Sequence, residues 1–282
     1  MDDFVGKIAV VTGATRGIGR SVAERCVVEG MKVILVGRNR EALTALQDEI
    51  RAQGGTALAV PTDVSQYDQV EALARRTLEA YGAVHLLVNN AGLVGLEDVL
   101  KPVWEVPLLE WEQVLSVNLW GVIYGMHAFI PIMLEQNEQC HVVNVSSMNG
   151  LNNWAIAGAY STTKHGVVSL SESLHKGLLA RSANINVTVA CPGQVSTDIV
   201  GHMVDSWRES SGRPLDDLGS ESQEWLRAFE QQVKGGMEAA EFTDLLFEAV
   251  RKDQFYVLTH PWIKDGVKTR MENIIDERNP TL

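Results

Sequence analysis

The sequence YSTTK places a phenol, Tyr160, four positions before an ammonium group, Lys164, in a segment with the apolar pattern of a buried helix. Positions i and i+4 of a helix lie on one face, so both side chains can point into the same small volume. An ammonium group near a phenol favours the phenolate, and such a pair can act as a general acid or base. The bland alternative is a packed tyrosine and a solvated lysine.

A glycine-rich turn provides a second candidate site. The sequence TGATRGIGR has glycines at positions 13, 17 and 19, directly after the first apolar segment and before a segment of helical period. Glycine lets the backbone approach a pyrophosphate closely, and the start of the next helix offers free N–H groups and a positive dipole end. In this position the turn predicts a dinucleotide site, the alternative being a tight connection that binds no ligand.

The end of the second apolar segment bears on the choice of cofactor. A carboxylate at that point would bind the ribose 2′-hydroxyl of NAD, whereas an arginine can bind the 2′-phosphate of NADP. The sequence VGRNREAL places Gly37 and Arg38 there, and its first acid, Glu41, belongs to the next helix. Arg16 in the glycine turn could supply a second positive charge. We therefore predict NADP(H), the alternative being that both arginines are solvated surface residues.

Apolar segments alternate with segments of helical period through the first two thirds of the chain. Strands that are apolar on both faces and alternate with helices indicate a parallel sheet covered on both sides. The predicted fold is an α/β Rossmann fold, a doubly wound sheet of about seven strands with a ligand crevice at their carboxyl ends. Helices are expected to end at Gly30, Gly54 and Gly82. The first six strands are expected at residues 8–12, 32–37, 57–60, 85–89, 141–146 and 186–190.

The pattern changes after Pro192. Residues 194–240 mix small and charged residues with scattered large apolar ones, which predicts short helices forming a substrate lid. Residues 241–282 read as a helix, a strand and a last helix. No repeat, low-complexity tract or linker interrupts the chain, so a single domain over residues 1–282 is expected.

Composition restricts the possible partners. The chain has 45% hydrophobic and 21% charged residues, and no apolar run long enough to cross a bilayer is expected, nor any membrane role. The formal net charge of −12 argues against a nucleic-acid surface. Acids near the N-terminus and three widely spaced cysteines predict a cytoplasmic protein with free thiols. The histidines lie on different elements without ligand spacing, so no metal site is expected.

With these motifs in place, the chain resembles the short-chain dehydrogenase/reductase family in its compact branch. The resemblance covers about residues 5 to 200 in the family's order. The motifs that carry it are TGATRGIG (12–19), DV (63–64), NNAG (89–92), Asn118 in VNLWG, NVSS (144–147), YSTTK (160–164) and PGQVST (192–197).

The resemblance implies four catalytic residues, Asn118, Ser147, Tyr160 and Lys164, with Ser147 preferred over Ser146 by its spacing from the tyrosine. It also implies that DV meets the adenine, that NNAG supports the ribose and that PGQVST flanks the nicotinamide. The expected cofactor-binding residues are Gly13, Thr15, Arg16, Gly17, Ile18, Gly19, Arg38, Asp63, Val64, Asn90, Ala91, Gly92, Tyr160, Lys164, Pro192, Gly193, Val195 and Thr197.

The implied activity is that of an NADP(H)-dependent carbonyl reductase or alcohol dehydrogenase. The cofactor exchanges a hydride with the substrate carbon, and Tyr160 exchanges a proton with its oxygen. Lys164 and an oxidised nicotinamide ring would both favour the phenolate, and lowering the phenol pKa by ~3 units takes roughly 4 kcal/mol. Ser147 would hydrogen-bond the substrate oxygen, and Asn118 would order a water molecule near Lys164.

The substrate is less well defined by the sequence. Large apolar residues in the lid, after NNAG and before the tyrosine suit a bulky, hydrophobic or aryl-bearing substrate, or they simply hold the lid down. The C-terminal segment resembles that of family members acting on lignin-type aryl ethers. The residues concerned are Met203, Trp207, Trp225, Phe229, Leu93, Val94, Leu96, Trp104 and Trp154.

Three alternatives stay open at this point. One is a catalytically silent, nucleotide-sensing binding protein, which would need a disabled Tyr/Lys pair. Another is an NAD-dependent hydroxysteroid or aryl-alcohol dehydrogenase. The third is an epimerase or dehydratase of the extended branch, which predicts a different glycine spacing and a larger C-terminal domain.

A homodimer is the expected assembly. The helices around residues 111–135 and 158–181 are apolar on more than one face, which suits the four-helix dimer interface common in the family. Many relatives end in a glycine-rich turn, whereas this chain has FYVLTHPWIKDG at the corresponding point. That difference weighs against, without excluding, a homotetramer built through C-terminal strands.

Overall fold

A computed structural model describes residue 1 and residues 3–280. Its main sheet has seven parallel strands in the order β3-β2-β1-β4-β5-β6-β9. This confirms the predicted Rossmann fold; the bounds of β1 and β2 are as predicted, and those of the next four strands differ by one residue at one or both ends. The strands are β1 (Ile8–Thr12), β2 (Lys32–Gly37), β3 (Thr56–Pro61), β4 (Leu86–Asn89), β5 (Cys140–Val145), β6 (Ile185–Cys191) and β9 (Tyr256–Leu258).

The order of the strands reverses between β1 and β4, which are hydrogen-bonded neighbours. The helices that follow β1 and β4 lie on opposite faces of the sheet. A crevice therefore opens between the carboxyl ends of these two strands. The glycine turn follows β1, and the NNAG sequence includes the end of β4. The topology therefore brings the two motifs to the same edge of the sheet.

Alternate residues of each strand supply two cores. On one face, Val11 of β1 packs with residues of α1 (Gly17–Val28), α2 (Arg40–Ala52) and α10 (Ala239–Arg251). On the other face, Val10 packs with residues of α3 (Tyr67–Tyr81), α6 (Gly121–Gln136) and α7 (Gly158–Ala180). Burial on both faces explains why the strands are continuous apolar runs.

Glycines end three of the first helices, as predicted. Gly30, Gly54 and Gly82 have φ values of 81°, 85° and 79°. This left-handed conformation carries little penalty for glycine because it lacks a Cβ. A glycine in the sequence thus marks the end of each of these three helices.

A continuous helical run joins α5 (Leu108–Leu115), a π-helical turn (Ser116–Trp120) and α6. Its 29 residues are long and apolar enough, by length and composition alone, to cross a membrane. The expectation that no apolar run reaches that length is therefore wrong for this helix, whose charged residues, Glu110, Glu112 and Glu135, lie near its ends. The core helix of a soluble protein can meet the same length and composition criterion. The Phe129 and Met133 side chains of this helix pack in the core against the sheet.

Residues 194–240, the segment expected to form a substrate lid and called the lid below, are mainly helical. Between its ends lie α8 (Ile199–Ser211), a 3₁₀ turn (Leu215–Asp217) and α9 (Ser220–Lys234). Two very short parallel strands, β7 (Val195–Ser196) and β8 (Met237–Glu238), close the base of the lid. The sequence did not predict this pairing, because two residues are too few to show a strand period.

The C-terminal part follows the predicted order of helix, strand and helix, with α10, β9 and α11 (Pro261–Ile275). The last helix ends at Ile275, a few residues earlier than its apolar pattern indicated. Residues 281 and 282 of the expected C-terminal segment lie outside the described residues. The single-domain organisation stays a prediction.

Candidate active site

Helix α7 carries Tyr160 and Lys164 on one face. The ammonium nitrogen of Lys164 lies 5.4 Å from the centroid of the Tyr160 ring. The same nitrogen donates a hydrogen bond of 3.0 Å to the carbonyl oxygen of Val145, the last residue of β5. Lys164 is only 4% exposed and Tyr160 is partly buried, so the pair lies near the carboxyl edge of the sheet with the ammonium group inside the molecule.

Ser147 follows β5 and begins the 3₁₀ turn Met148–Gly150, where its Oγ accepts a hydrogen bond of 3.2 Å from the Asn149 N–H. Its hydroxyl is also close enough to the Tyr160 phenol to lower the pKa of that group. Ser146 points elsewhere, since its Oγ donates to the carbonyl oxygen of Lys164 at 2.8 Å. Of the two serines, Ser147 is the one that faces the tyrosine.

Burial dominates the ionisation of both side chains. It raises the pKa of Tyr160 to about 12, and the Ser147 hydroxyl opposes the rise only in part. It also lowers the pKa of Lys164 to about 8. Desolvation disfavours the charged form of each group, so the protein's own groups do not produce the acidic phenol expected from the sequence. They hold a protonated phenol beside an unusually acidic ammonium group.

Asn118 lies in the π-helical turn and is completely buried. Its Oδ1 accepts from the Leu93 N–H at 2.8 Å, and its Nδ2 donates to the Leu93 carbonyl at 2.8 Å and to Thr163 Oγ1 at 3.2 Å. A Cβ on Gly92 would lie 3.4 Å from Asn118 Oδ1 and 3.5 Å from the Lys164 nitrogen. Gly92 therefore separates the two side chains, and Oδ1 keeps acceptor capacity for one more donor. Single π-helical turns are frequent at functional sites.

The glycine turn and the NNAG turn are bound to each other through Thr12. Its Oγ1 accepts from the N–H groups of Asn90 and Ala91 at 2.8 and 2.9 Å, and its carbonyl accepts from Asn90 Nδ2 at 2.8 Å. Gly13 has a φ of 66°, and a Cβ there would lie 2.9 Å from Asn90 Nδ2. A Cβ on Gly19 would overlap the carbonyl oxygen of Gly13. Side chains at these positions would push the two turns apart.

The start of α1 fits the pyrophosphate of a dinucleotide. Arg16 occupies its N-cap position without a side-chain capping bond, which leaves helix N–H groups available to an anion. Gly17 has a φ of 52°, and a Cβ there would lie 3.0 Å from Thr197 Cγ2. Thr15 lies close to Gly37 at the end of β2, whereas Ile18 packs against the core. The glycine turn thus lies beside the end of β2 and beside Thr197, and both of these segments are expected to bind the cofactor.

Arg16 and Arg38 are both exposed and share one neighbour on the lid, His202. Burial lowers the pKa of this histidine, and the positive charges of the two arginines lower it further. Arg16 Nη1 also lies 3.8 Å from Asp198 Oδ2, just before α8. The start of the lid therefore lies beside the positive groups, which sequence patterns did not reveal because lid and arginines are far apart in the chain.

The remaining expected cofactor residues lie around this edge of the sheet. Asp63 Oδ1 accepts from the N–H and the hydroxyl of Ser65 at 3.0 and 2.7 Å, and Val64 contacts the helix start at Gly121. Pro192 accepts a backbone bond from Met148 at 2.8 Å. Gly193 donates to Thr259 Oγ1 at 3.0 Å, and Val195 lies in β7.

The lid packs on the first turn of α7 through an apolar cluster. Met203 and Trp207 of α8 are 2% and 3% exposed and contact the segment around Val94, Leu96 and Val99, with Tyr160 at the cluster's edge. Trp225 and Phe229 of α9 stack with ring centroids 5.0 Å apart. Several lid side chains thus hold the lid against the rest of the fold.

Other residues named for substrate binding do not lie in this cluster. Trp104 and Trp154 are 79% and 57% exposed. Leu93 packs in a separate cluster with Val114 and Ala159. Fewer of the residues named for substrate binding therefore belong to the cluster that meets Tyr160 than the sequence indicated. Outside the lid, Val94 and Leu96 are the named residues that belong to it.

Sequence patterns missed one buried carboxylate at this site. Asp98 lies in α4 (Leu96–Leu100), and its two oxygens accept from the N–H groups of Ala159 and Tyr160, each at 2.9 Å. The available signal is that WAIAGAY offers no Ser, Thr, Asp or Asn just before the helix, so a cap must come from elsewhere.

No three His, Cys, Asp or Glu side chains come together as a potential metal site anywhere in the described part of the chain. Cys26, Cys140 and Cys191 are buried free thiols. Burial raises the pKa of Cys191 to about 12, so this thiol stays protonated next to the Lys164 ammonium group.

Comparison with known proteins supplies independent information. The family model described as short chain dehydrogenase matches residues 7–207. The chain is 29% identical over 287 residues to the CLA biosynthesis dehydrogenase/reductase of Lactiplantibacillus plantarum, covering 100% of this chain and 98% of that protein. It is 35% identical over 197 residues to the 1-deoxy-11-beta-hydroxypentalenate dehydrogenase of Streptomyces arenae, covering 69% of each.

Solved structures agree with the fold. A short chain dehydrogenase/reductase from Burkholderia phymatum, crystallised in complex with NAD, superposes with a TM-score of 0.91 and 39% sequence identity. The match covers 100% of this chain and 99% of that one. This similarity supports a nicotinamide dinucleotide as the cofactor and leaves the choice between NAD and NADP undecided.

Proposed function

Because the chain belongs to the short-chain dehydrogenase/reductase family, we propose that it interconverts a ketone or aldehyde and the corresponding alcohol with NADP(H). Membership makes it an oxidoreductase acting on a small molecule. The observation that carries the finer proposal is the pairing of Tyr160 with Lys164 and Ser147, with the Lys164 nitrogen next to Gly92 of the NNAG turn. Tyr160 and Lys164 come from α7, and Ser147 comes from the segment that follows β5.

The proton in this reaction belongs to Tyr160. When bound, the nicotinamide would donate or accept the hydride and, once oxidised, would add a positive charge near the phenol. The buried phenol is protonated at neutral pH, because its pKa is about 12. It is therefore ready to protonate a carbonyl oxygen as charge develops there, and the Ser147 hydroxyl can donate a second hydrogen bond to the same oxygen.

Lys164 then serves to restore the phenol. With a pKa of about 8, its ammonium group is mostly charged at neutral pH and is a stronger acid than the phenol. Proton return to the phenolate from the lysine side is consequently favourable. Asn118 has spare acceptor capacity near Lys164, which supports its proposed role in ordering a water molecule for this return.

The proposed preference for NADP(H) rests on Arg16 and Arg38. Both are exposed, both lie near His202 on the lid, and a 2′-phosphate there would interact with two positive charges. NAD is the second candidate, because the structural neighbour from Burkholderia phymatum was crystallised with it. Turnover measured with NADPH and with NADH at equal concentration distinguishes the two.

A bulky, hydrophobic or aryl-bearing substrate is proposed from the cluster that meets Tyr160. The phenol is bordered by apolar residues of the lid and of α4, including Leu96 and Met203. An apolar substrate would replace some of these contacts with its own. A panel of aryl ketones, steroids and sugars, each with NADPH and NADH and followed at the nicotinamide absorbance, tests both reaction and substrate class. Absence of any turnover with the whole panel would contradict the proposed activity.

The proposed assembly is a homodimer in the cytoplasm. The long helical run α5–α6 leaves Leu108 and Trp120 78% and 48% exposed, and α7 leaves Leu179 63% exposed. Pairing of these helices with a second copy would cover such side chains. Light scattering during gel filtration should give twice the mass of the 31.0 kDa chain, and a monomer would contradict the proposal.

A further inference from the structure

Helix α7 begins without a cap of its own. Its N-cap residue, Ala157, has a left-handed φ of 61° and provides no side-chain hydrogen bond. The first N–H groups of any helix lack partners within the helix. Here these groups are inside the protein, since Ala159 is completely buried. They therefore need an acceptor from another part of the chain.

Asp98 provides that acceptor from α4. Its Oδ1 accepts from the Ala159 N–H and its Oδ2 from the Tyr160 N–H, both at 2.9 Å. Its backbone carbonyl accepts from the Ala157 N–H at 2.8 Å. The side chain is completely buried, and a carboxylate at a helix N-terminus also interacts favourably with the helix dipole. Three bonds from one residue thus fix the first turn of α7.

Asp98 is itself held by a second buried carboxylate. Glu110 of α5 accepts from the Asp98 N–H at 2.6 Å and from the Glu97 N–H at 3.2 Å. A Cβ on Gly95 would overlap the Glu110 carboxylate, so glycine is needed for this close approach. Within the described residues neither Asp98 nor Glu110 forms an ion pair. Their oxygens accept hydrogen bonds from backbone N–H groups, and burial raises the pKa of both carboxyls.

The two proposed proton-transfer residues of α7 are anchored independently. Lys164 is fixed from the sheet, through its bond to Val145 and the Ser146 bond to its own carbonyl. Tyr160, one turn earlier, is fixed by the Asp98 bond to its backbone N–H. The distance from the phenol to Ser147, which follows β5, therefore depends on where Asp98 holds the first turn.

We propose that Asp98, held by Glu110, is a positioning residue that places the Tyr160 phenol against Ser147. This inference rests on the proposed role of Tyr160 as proton donor. It assigns the function to a carboxylate that touches only backbone N–H groups of the catalytic helix. Loss of the carboxylate would let the first turn of α7 move, and small displacements of a catalytic group strongly reduce rate.

The test compares Asp98→Asn and Asp98→Ala with the wild type. Asparagine keeps one acceptor and alanine keeps none, so kcat is expected to fall at least about tenfold with asparagine and further with alanine. The dissociation constant of the cofactor, from nicotinamide fluorescence, and the KM of the ketone should stay within about threefold. Glu105→Gln, an exposed acid of the neighbouring segment, is the matched control with unchanged kinetics.

A purely structural cap gives a different result. It would lower the thermal midpoint while the folded variants kept kcat within about twofold of the wild type, and that outcome would overturn the proposal. A parallel loss of cofactor binding would also overturn it, because the defect would then not be confined to the proton-transfer step. Tyr160→Phe separates the two proposals: full turnover in that variant refutes the proposed function, whereas normal turnover in the Asp98 variants alone refutes only the positioning role.

Glu110→Gln keeps the test decisive if the Asp98 variants fail to fold. It retains one acceptor for the Asp98 and Glu97 N–H groups, so a smaller loss of kcat, about threefold to tenfold, is expected with cofactor binding unchanged. Where Asp98→Asn does fold, the losses in its double variant with Glu110→Gln should not multiply, because Glu110 acts through Asp98. Unchanged kcat in Glu110→Gln, or multiplied losses in the double variant, would contradict the arrangement.

Discussion

The ammonium nitrogen of Lys164 lies 5.4 Å from the ring centroid of Tyr160, and burial brings the pKa of the lysine down to about 8 while raising that of the phenol to about 12. The two groups are thus arranged as a protonated phenol with a more acidic neighbour. This order favours protonation of the phenol at neutral pH. For oxidation of an alcohol, Tyr160 would have to act as a base, and a further positive charge near the phenol would be needed to lower its pKa.

Lys164 should reduce the stability of the protein alone at neutral pH. Burial lowers its pKa from 10.5 to about 8, a difference that corresponds to about 3 kcal/mol. Below pH 8 the lysine is charged in both the folded and the unfolded state, so the full penalty is present. As pH rises from about 8 to 10.5 the folded state loses its proton first, and the penalty disappears.

Lys164→Met should therefore unfold at higher urea concentration than the wild type at pH 7, and the difference should shrink toward pH 10.5. Ionisation of Tyr160 destabilises both proteins at the upper end of this range, because its pKa is raised, and so it cancels in the comparison. Lys176→Met, an exposed lysine on the same helix, is the control with a pH-independent effect. A constant difference between Lys164→Met and wild type across the range would show that the lysine is not buried as described.

Arg38 and Arg16 are expected to set the cofactor preference. Replacing Arg38 with Ala removes a positive charge beside the proposed 2′-phosphate, so the KM for NADPH should rise at least about tenfold while that for NADH changes little. Arg16→Ala should act in the same direction. Steady-state kinetics with both cofactors is the measurement, with Arg40→Ala, an exposed arginine two positions further, as the control. Equal losses with NADPH and NADH would count against recognition of a 2′-phosphate.

Gly19 is expected to tolerate no side chain. A Cβ there would overlap the Gly13 carbonyl and approach Asn90, so Gly19→Ala should separate the glycine turn from the NNAG turn. Cofactor affinity, measured by fluorescence titration, should fall at least about tenfold. Gly177→Ala is the matched control, because nothing lies within 4 Å of its added Cβ in α7. That change should raise stability by about 0.5–1 kcal/mol. Normal cofactor affinity in Gly19→Ala would refute the close approach of the two turns.

The fold could be predicted from the sequence because it depends on local sequence patterns. Continuous apolar strands, the glycines that end helices and the glycine turn after β1 each depend on a few neighbouring residues. The i, i+4 spacing of Tyr160 and Lys164 is local too, and the structure places both on one face of α7, with Lys164 buried and Tyr160 partly buried. Helix periodicity was sufficient to predict the proximity of these two side chains.

Features that depend on distant contacts were not accessible. Asp98 caps a helix 61 residues further along the chain, and no local pattern links the two. The pairing of β7 with β8 joins the two ends of the lid. The sequence also did not indicate that the protein's own groups raise the pKa of Tyr160. The nearby lysine is visible in the sequence, but the burial that raises the pKa depends on distant contacts.

The most direct test of the central claim is turnover by Tyr160→Phe with the best ketone of the panel. Phenylalanine keeps the ring and its packing against the lid cluster but removes the proton. We expect the variant to fold, to bind NADPH with an affinity within about twofold of the wild type, and to lose kcat by a factor of ~10² or more. Turnover close to that of the wild type, with cofactor bound normally, would contradict the assignment of the transferred proton to Tyr160.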